Sequence, residues 1–274
     1  MPQTLPLSIG AAMSVERLPE FREWLIEGER DLELQSFHTA KSLMGDWGPA
    51  VEEAKRQLDG YRGRLGVHGP FKGFVIHSQD PEIREVVTRR FMQCLDICEA
   101  LGAIQMVLHS PFTPWSYNNM PKAEGTMERV IERTRKCLGP VIARAEDMGL
   151  TIVMENVADK DPGERNAVID GIGSPAFKVS LDTGHAHMSH GTQNAPPVDY
   201  FVRAAGNRLS HVHLQDGDPY ADRHWAIGEG SVPWHAVFRE IAALESRPHL
   251  VLEMRNKADI WSSMRYLEAA GLAC

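Results

Sequence analysis

Seven side chains able to ligate a metal or move a proton, His68, His109, Glu155, Asp182, His185, His213 and Glu253, stand at or just after the ends of short apolar runs. Those runs read RLGVHG, IQMVLHS, LTIVMEN, FKVSLDTGH, RLSHVHLQD and HLVLEM. A carboxylate or imidazole at the end of such a run is costly to bury unless it is paired, hydrated or bound to a cation. One case would mean little. Six together place mutually repelling carboxylates at one location, and a cation between them resolves the conflict. Glu155, Asp182, His213 and Glu253 form the core of this expectation. Carboxylates and imidazoles without cysteine suit zinc, manganese, magnesium, iron or cobalt. One divalent ion is the expectation, with ligand types enough for as many as three.

Further residues lie close in sequence. His211 and His213 are two apart on one run, so both side chains share a face and spacing alone does not choose between them. After that run comes DGDPYADRHWAIGEGSVPW, in which Asp222 and His224 offer a further metal position and Arg223 a planar fork for a substrate phosphate, carboxylate or hydroxyl. Asp216 either binds a ligand or anchors this loop. His187 and His190 are expected in a loop, facing water. Phe71, Phe112, Trp115 and Trp225 are expected near the mouth, as walls for an apolar ring face or as packing, with Trp115 a substrate-binding candidate. Cys94 and Cys98, one helical turn apart, read as buried apolar residues rather than ligands.

These residues need a scaffold that collects strand ends. Eight strand candidates alternate with amphipathic stretches: LSIGAA from Leu7, LELQSF from Leu32, and runs from Arg64, Ile104, Leu150, Phe177, Arg208 and His249. Helices are predicted over 81–101, opened by Asp80 and Pro81 and closed by Gly102, over 126–148, closed by Gly149, and over 233–244 and 258–270. Alternation of this kind implies parallel strands joined by crossover helices. A single (β/α)8 TIM barrel spanning residues 1–274 is the expected α/β fold, since barrels of this kind use about 250 residues and carry their sites at strand C-termini. An open doubly wound sheet is disfavoured, because no G-x-G-x-x-G follows the first strand.

Composition sets the remaining bounds. The chain carries a formal net charge of −8 and no Lys/Arg cluster interleaved with aromatics, which disfavours a nucleic-acid partner. No apolar stretch is long enough to span a membrane, and the first residues lack the order of a signal peptide, so a cytoplasmic location is expected. A homo-oligomer is in keeping with symmetric soluble enzymes.

In VHGPF, VLHSPF, MEN, SLDTGH, HVHLQD, DRHWAIGEG and LVLEM, taken in order, the chain resembles the xylose-isomerase-like barrel superfamily. That superfamily joins sugar isomerases and epimerases with apurinic endonucleases of the endonuclease IV type. Resemblance to the isomerase branch implies one manganese, magnesium or similar ion on Glu155, Asp182, His213 and Glu253, with His185 and Arg223 at the substrate. Resemblance to the endonuclease branch implies three zinc ions: one on His68, His109 and Glu155, one on the same four residues, and one on His185, Asp222 and His224.

The leading expectation is isomerisation or epimerisation of a sugar, cyclitol or related hydroxy-ketone through an enediolate. Glu155 and Glu253 would be base and acid, His185 would hold the substrate oxygen, and His68, His109, Arg223 and Trp115 would bind substrate. The alternatives are zinc-dependent cleavage of abasic DNA, and a lyase or dehydratase acting on a hydroxy-keto acid. The loops that insert into DNA in the endonuclease branch have no clear counterpart in GPFKGFVIHSQD after His68.

Overall fold

The computed structural model describes residues 4–119 and 125–274. Eight parallel strands close into a barrel in chain order: β1 (Gly10–Met13), β2 (Leu32–Leu34), β3 (Leu65–His68), β4 (Gln105–His109), β5 (Thr151–Glu155), β6 (Phe177–Asp182), β7 (Leu209–Leu214) and β8 (His249–Leu252). The last strand pairs back onto the first through Ala11 and Leu252. The helices, in chain order, are α1 (Leu18–Glu27), α2 (Ala40–Met44), α3 (Gly48–Gln57), α4 (Pro81–Leu101), α5 (Pro114–Asn119), α6 (Thr126–Met148), α7 (Pro162–Ile172), α8 (Thr183–Gln193), α9 (Val198–Ala205), α10 (Trp234–Ala242) and α11 (Asp259–Ala269). The expected TIM barrel is the fold. No helix among the described residues is long and apolar enough to cross a membrane.

Local chemistry explains the clearest boundaries. Asp80 caps α4 by accepting from Glu82 N at 2.8 Å, and Pro81 supplies a first residue that has no amide hydrogen to leave unpaired. Gly102 (φ 68°) and Gly149 (φ 67°) end α4 and α6 in the left-handed region, where a Cβ would be strained.

Period two along the strands divides the molecule into two interiors. Leu32, Leu34, Val67, Met106, Leu108, Ile152, Met154, Val179, Leu181, Val212 and Leu214 join the large apolar core shared with the helices. Their alternating neighbours must then face the barrel axis: Ala12, Glu33, Gln105, Val107, Val153, Ser180, His211, His213 and Val251, all buried. Such interiors are normally packed with bulky branched residues. Here small and polar side chains fill much of the axis and lead up to the C-terminal mouth.

Three expectations need correction. The first strand begins at Gly10 rather than Leu7, because Leu7 is drawn into an isolated bridge with Ala273. Residues 183–193 form helix α8 rather than a loop, since the Asp182 carboxylate caps it by accepting from His185 N at 2.7 Å. His187 is consequently buried against Ser231 Oγ at 2.8 Å instead of facing water, whereas His190 is exposed. Cys94, Cys98 and Cys137 are free and buried.

Candidate metal centre

Parallel register brings the strand-end residues side by side. His109 pairs with Glu155 across β4 and β5, and Asp182 with His213 across β6 and β7. With Glu253, just past β8, they lie at the C-terminal mouth, where a cavity of 320 Å³ is lined by His68, His109, Glu155, His185, Asp222, His224 and Glu253 together with Gln35, His38, Phe71 and Lys72. Donor atoms fall within 4.8 Å of one another in the sets His68/His109/Glu155, Glu155/Asp182/His213/Glu253 and His185/Asp222/His224.

Glu155 links these sets. Its Oε2 stands 3.7 Å from His68 Nε2, 3.6 Å from His109 Nε2 and 3.4 Å from His213 Nδ1, while Oε1 is 3.3 Å from His185 Nδ1. Most of these separations exceed a good hydrogen bond. The 3.4 Å between Glu155 Oε2 and His213 Nδ1 falls within, and the 3.6 and 3.7 Å to His109 and His68 slightly exceed, the roughly 3.0–3.5 Å expected between donors that each sit about 2.1 Å from a shared ion. Glu155 Oε2 and His213 Nδ1 are moreover fully buried without a hydrogen-bond partner among the described residues. Buried polar atoms are rarely left in that state, so the donor set fits a divalent cation.

The imidazoles are oriented to suit. His68, His185 and His224 lie with Nδ1 2.9 Å from the carbonyl oxygens of Gly69, Asn156 and Glu253 respectively. A carbonyl only accepts, so Nδ1 carries the hydrogen and Nε2 offers its lone pair to the site. His224 reaches its position from a left-handed backbone (φ 52°), a strained conformation of the kind that gathers at functional sites. His213 is turned the other way: Nε2 faces Glu33 Oε1 at 3.0 Å and Oε2 at 3.1 Å, and Nδ1 faces Glu155, Glu253 (3.5 Å) and Asp182 (4.0 Å).

Charge is strongly coupled across the cluster. Burial pushes the Glu155 carboxyl up, but His213, His109 and His185 outweigh it and hold it well below the usual carboxylate range. Glu33 is likewise held well down against burial by His213, His211 and His68. For Asp182 burial dominates, Glu155 and Glu253 add to it, and the carboxyl rises to about 6 despite His185. Burial lowers His109 to about 4, whereas His68 rises to about 9 because Glu155 and Glu33 overcome its burial. Four carboxylates, Glu33, Glu155, Asp182 and Glu253, thus lie close together, and positive charge is what stabilises them there.

A surrounding layer holds the donors in place. Gln215 donates through Nε2 to Asp182 Oδ1 and Asp222 Oδ1, both at 3.1 Å, and its Oε1 accepts from His224 N at 2.8 Å. Gln35 donates to Glu253 Oε1 at 2.6 Å. Asn156 is bonded in both directions to the Asp182 backbone and is itself held by the buried Arg165, which also reaches the Met154 and Ser180 carbonyls. Asp216 is a loop anchor, accepting from the Gly217, Gly228 and Val232 amides and from the Trp234 indole.

Arg223 and Trp115 are expected at the substrate; neither lines the cavity. The Arg223 fork is engaged by Asp218 (2.8 Å) and lies over the Trp225 ring. Trp115, on α5, is 75% exposed and does not line the cavity. Of the other expected walls, Phe71 lines the cavity and stacks on His109 with centroids 4.4 Å apart, and Phe112 is buried in the core. Glu33, Gln35 and Gln215 were not anticipated. An acidic residue inside the apolar run LELQSF was the available signal for Glu33.

Comparison with known proteins agrees with the fold. A family model described as xylose isomerase-like TIM barrel matches residues 31–270. The fold is similar to that of a D-tagatose 3-epimerase-like protein, with 20% identity, 96% of each chain covered and a TM-score of 0.77. It is also similar to the TTHB071 protein of Thermus thermophilus in a crystal soaked with ZnCl2, at 26% identity over 96% of this chain and 97% of the other, with a TM-score of 0.73. In sequence the chain is 27% identical to D-psicose 3-epimerase of Enterocloster bolteae over 199 residues, covering 68% of this chain and 60% of that one.

Proposed function

The chain belongs to the xylose isomerase-like TIM barrel family, and from that premise we propose that it is a divalent-metal-dependent isomerase or epimerase of a sugar, cyclitol or related hydroxy-ketone. One observation carries the reading: Glu155, Asp182, His213 and Glu253 converge their donor atoms at the edge of an open cavity large enough for a small carbohydrate. The relative named as a D-psicose 3-epimerase supports it.

Those four residues would hold the ion, whose charge beside a substrate carbonyl lowers the energy of the enediolate formed when the neighbouring proton leaves. The protein side chains do the rest. One of the carboxylates Glu155 and Glu253 removes the proton and the other returns it, a contribution of about 10² to 10⁴-fold in rate. Gln35 fixes Glu253 Oε1 and so sets the direction of Oε2. His185, with Nδ1–H committed to the Asn156 carbonyl, accepts a substrate hydroxyl through Nε2. His68 and His109 form the opposite wall, and Phe71 offers an apolar surface to a ring.

Proton abstraction leaves an isotopic record. Incubated in D2O with a panel of ketoses and keto-cyclitols, the metal-loaded enzyme should exchange deuterium into the carbon next to the carbonyl of one class, and Glu155→Gln should abolish the exchange. Absence of exchange across the whole panel would contradict the proposal. A dehydratase would declare itself in the same spectra by a product lacking a hydroxyl group.

Metal-assisted phosphodiester hydrolysis is the second reading. Two of the further donor sets, His68/His109/Glu155 and His185/Asp222/His224, favour it, since several adjacent ions suit in-line displacement at phosphorus. The net charge of −8 opposes it, as does Lys72 being the one lysine or arginine among the described residues lining the cavity. Cleavage of an abasic-site oligonucleotide by the zinc-loaded protein would decide for hydrolysis.

A further inference from the structure

Four site imidazoles have their far nitrogen held by the protein, and one of them is held differently. His68, His185 and His224 rest on backbone carbonyls. His213 rests on a carboxylate, that of Glu33 on β2, which is 1% exposed and by strand alternation faces the barrel interior. Among the described residues the ion-pair partners of Glu33 are His213 and, at 3.3 Å, His211, and no lysine or arginine pairs with it. His211 in turn meets Ser180 Oγ through Nδ1 at 2.8 Å, while its Nε2, 3.3 Å from Glu33 Oε2, makes no hydrogen bond among the described residues.

A barrel interior needs no carboxylate for packing, and a buried one, even paired with imidazoles, is unfavourable compared with a well-packed apolar side chain. Its placement makes sense as support for His213. We propose that Glu33 is a positioning residue which accepts the His213 Nε2–H, fixes the ring with Nδ1 toward Glu155, Asp182 and Glu253, and makes that four-residue group the tightest cation position of the centre. The proposal rests on the reading that His213 holds a divalent ion. An anionic acceptor behind a ligand imidazole both orients it and strengthens its free nitrogen as a donor, and loss of such an acceptor typically weakens metal affinity about 10- to 100-fold. A neutral carbonyl does the same more weakly, so the His68 and His224 positions should release an ion before the His213 position does.

The test uses full-length, untagged protein stripped with chelator and titrated with Zn²⁺ and with Mn²⁺. Ion count is followed by native mass spectrometry, and imidazole tautomers by long-range ¹H–¹⁵N NMR. Glu33→Gln, which keeps size and an acceptor oxygen, should weaken the tightest ion about 10-fold or more and leave the weaker ions and the cation-free melting temperature near wild type. Glu33→Leu should weaken it further and remove the single Nε2–H tautomer of His213; if that variant does not fold, Glu33→Gln decides alone. Unchanged affinity and tautomer in Glu33→Gln would overturn the role of Glu33 while leaving the cation site standing. A wild-type protein that takes up neither ion would overturn the underlying reading as well.

Discussion

The Trp234 indole donates from Nε1 to Asp216 Oδ2 at 2.9 Å, which ties the start of α10 to the end of β7 and closes the loop that carries Asp222 and His224. The same carboxylate accepts from the amides of Gly217, Gly228 and Val232. Asp216→Ala strands these buried donors, each at a cost of about 1–3 kcal/mol. Denaturant unfolding should therefore show a loss of at least about 2 kcal/mol in the stability of the cation-free protein. A change within about 0.5 kcal/mol would mean that the loop is held by other contacts.

Gln215 couples two donor sets through one side-chain amide. Gln215→Leu removes the contacts to Asp182, Asp222 and His224 N together and should weaken divalent-ion binding about 10-fold or more. Gly184→Ala gives an independent route to the same end, because a Cβ there would lie 2.3 Å from Gln215 Cδ and Oε1 and must displace the amide. Calorimetric titration should rank both variants below wild type, and wild-type affinity in either would show that Gln215 is not a brace.

Glu164 supplies a pH signature away from the metal donors. Burial, with Asp159 and Asp161 nearby, raises its carboxyl from the usual 4.5 to about 7 in the folded protein. The folded state thus holds this proton more tightly than the unfolded chain. The resulting stabilisation is fully present below about 4.5 and is lost as pH rises through about 7. Because the group is partly exposed, solvent screening reduces the effect to on the order of 1 kcal/mol. Melting temperatures recorded from pH 4.5 to 8 should fall more steeply in wild type than in Glu164→Gln, and parallel curves would remove Glu164 as the cause.

The barrel and most of the centre were readable because their signals are local. Asp80, Pro81, Gly102 and Gly149 mark helix ends through their own backbone chemistry, and a carboxylate or imidazole closing an apolar run is costly wherever the run lies. What escaped depends on tertiary register. Period two allows Glu33 either face of β2, and only the closed register turns it inward to meet His213. Arg223 looked available because Asp218, five residues earlier, shows no pairing until the loop folds back. Residues 183–193 lack a clear apolar stripe, so α8 becomes evident only once Asp182 is seen capping it and burial on several sides is known.

The most direct test is a count of tightly bound divalent ions in untagged wild type, Glu155→Ala and Asp222→Ala by native mass spectrometry. Wild type should retain an ion through buffer exchange, Asp222→Ala should keep the ion of the Glu155, Asp182, His213 and Glu253 group, and Glu155→Ala should lose it. If Glu155→Ala retains as many ions as wild type, that group does not hold the cation and the account of the centre fails.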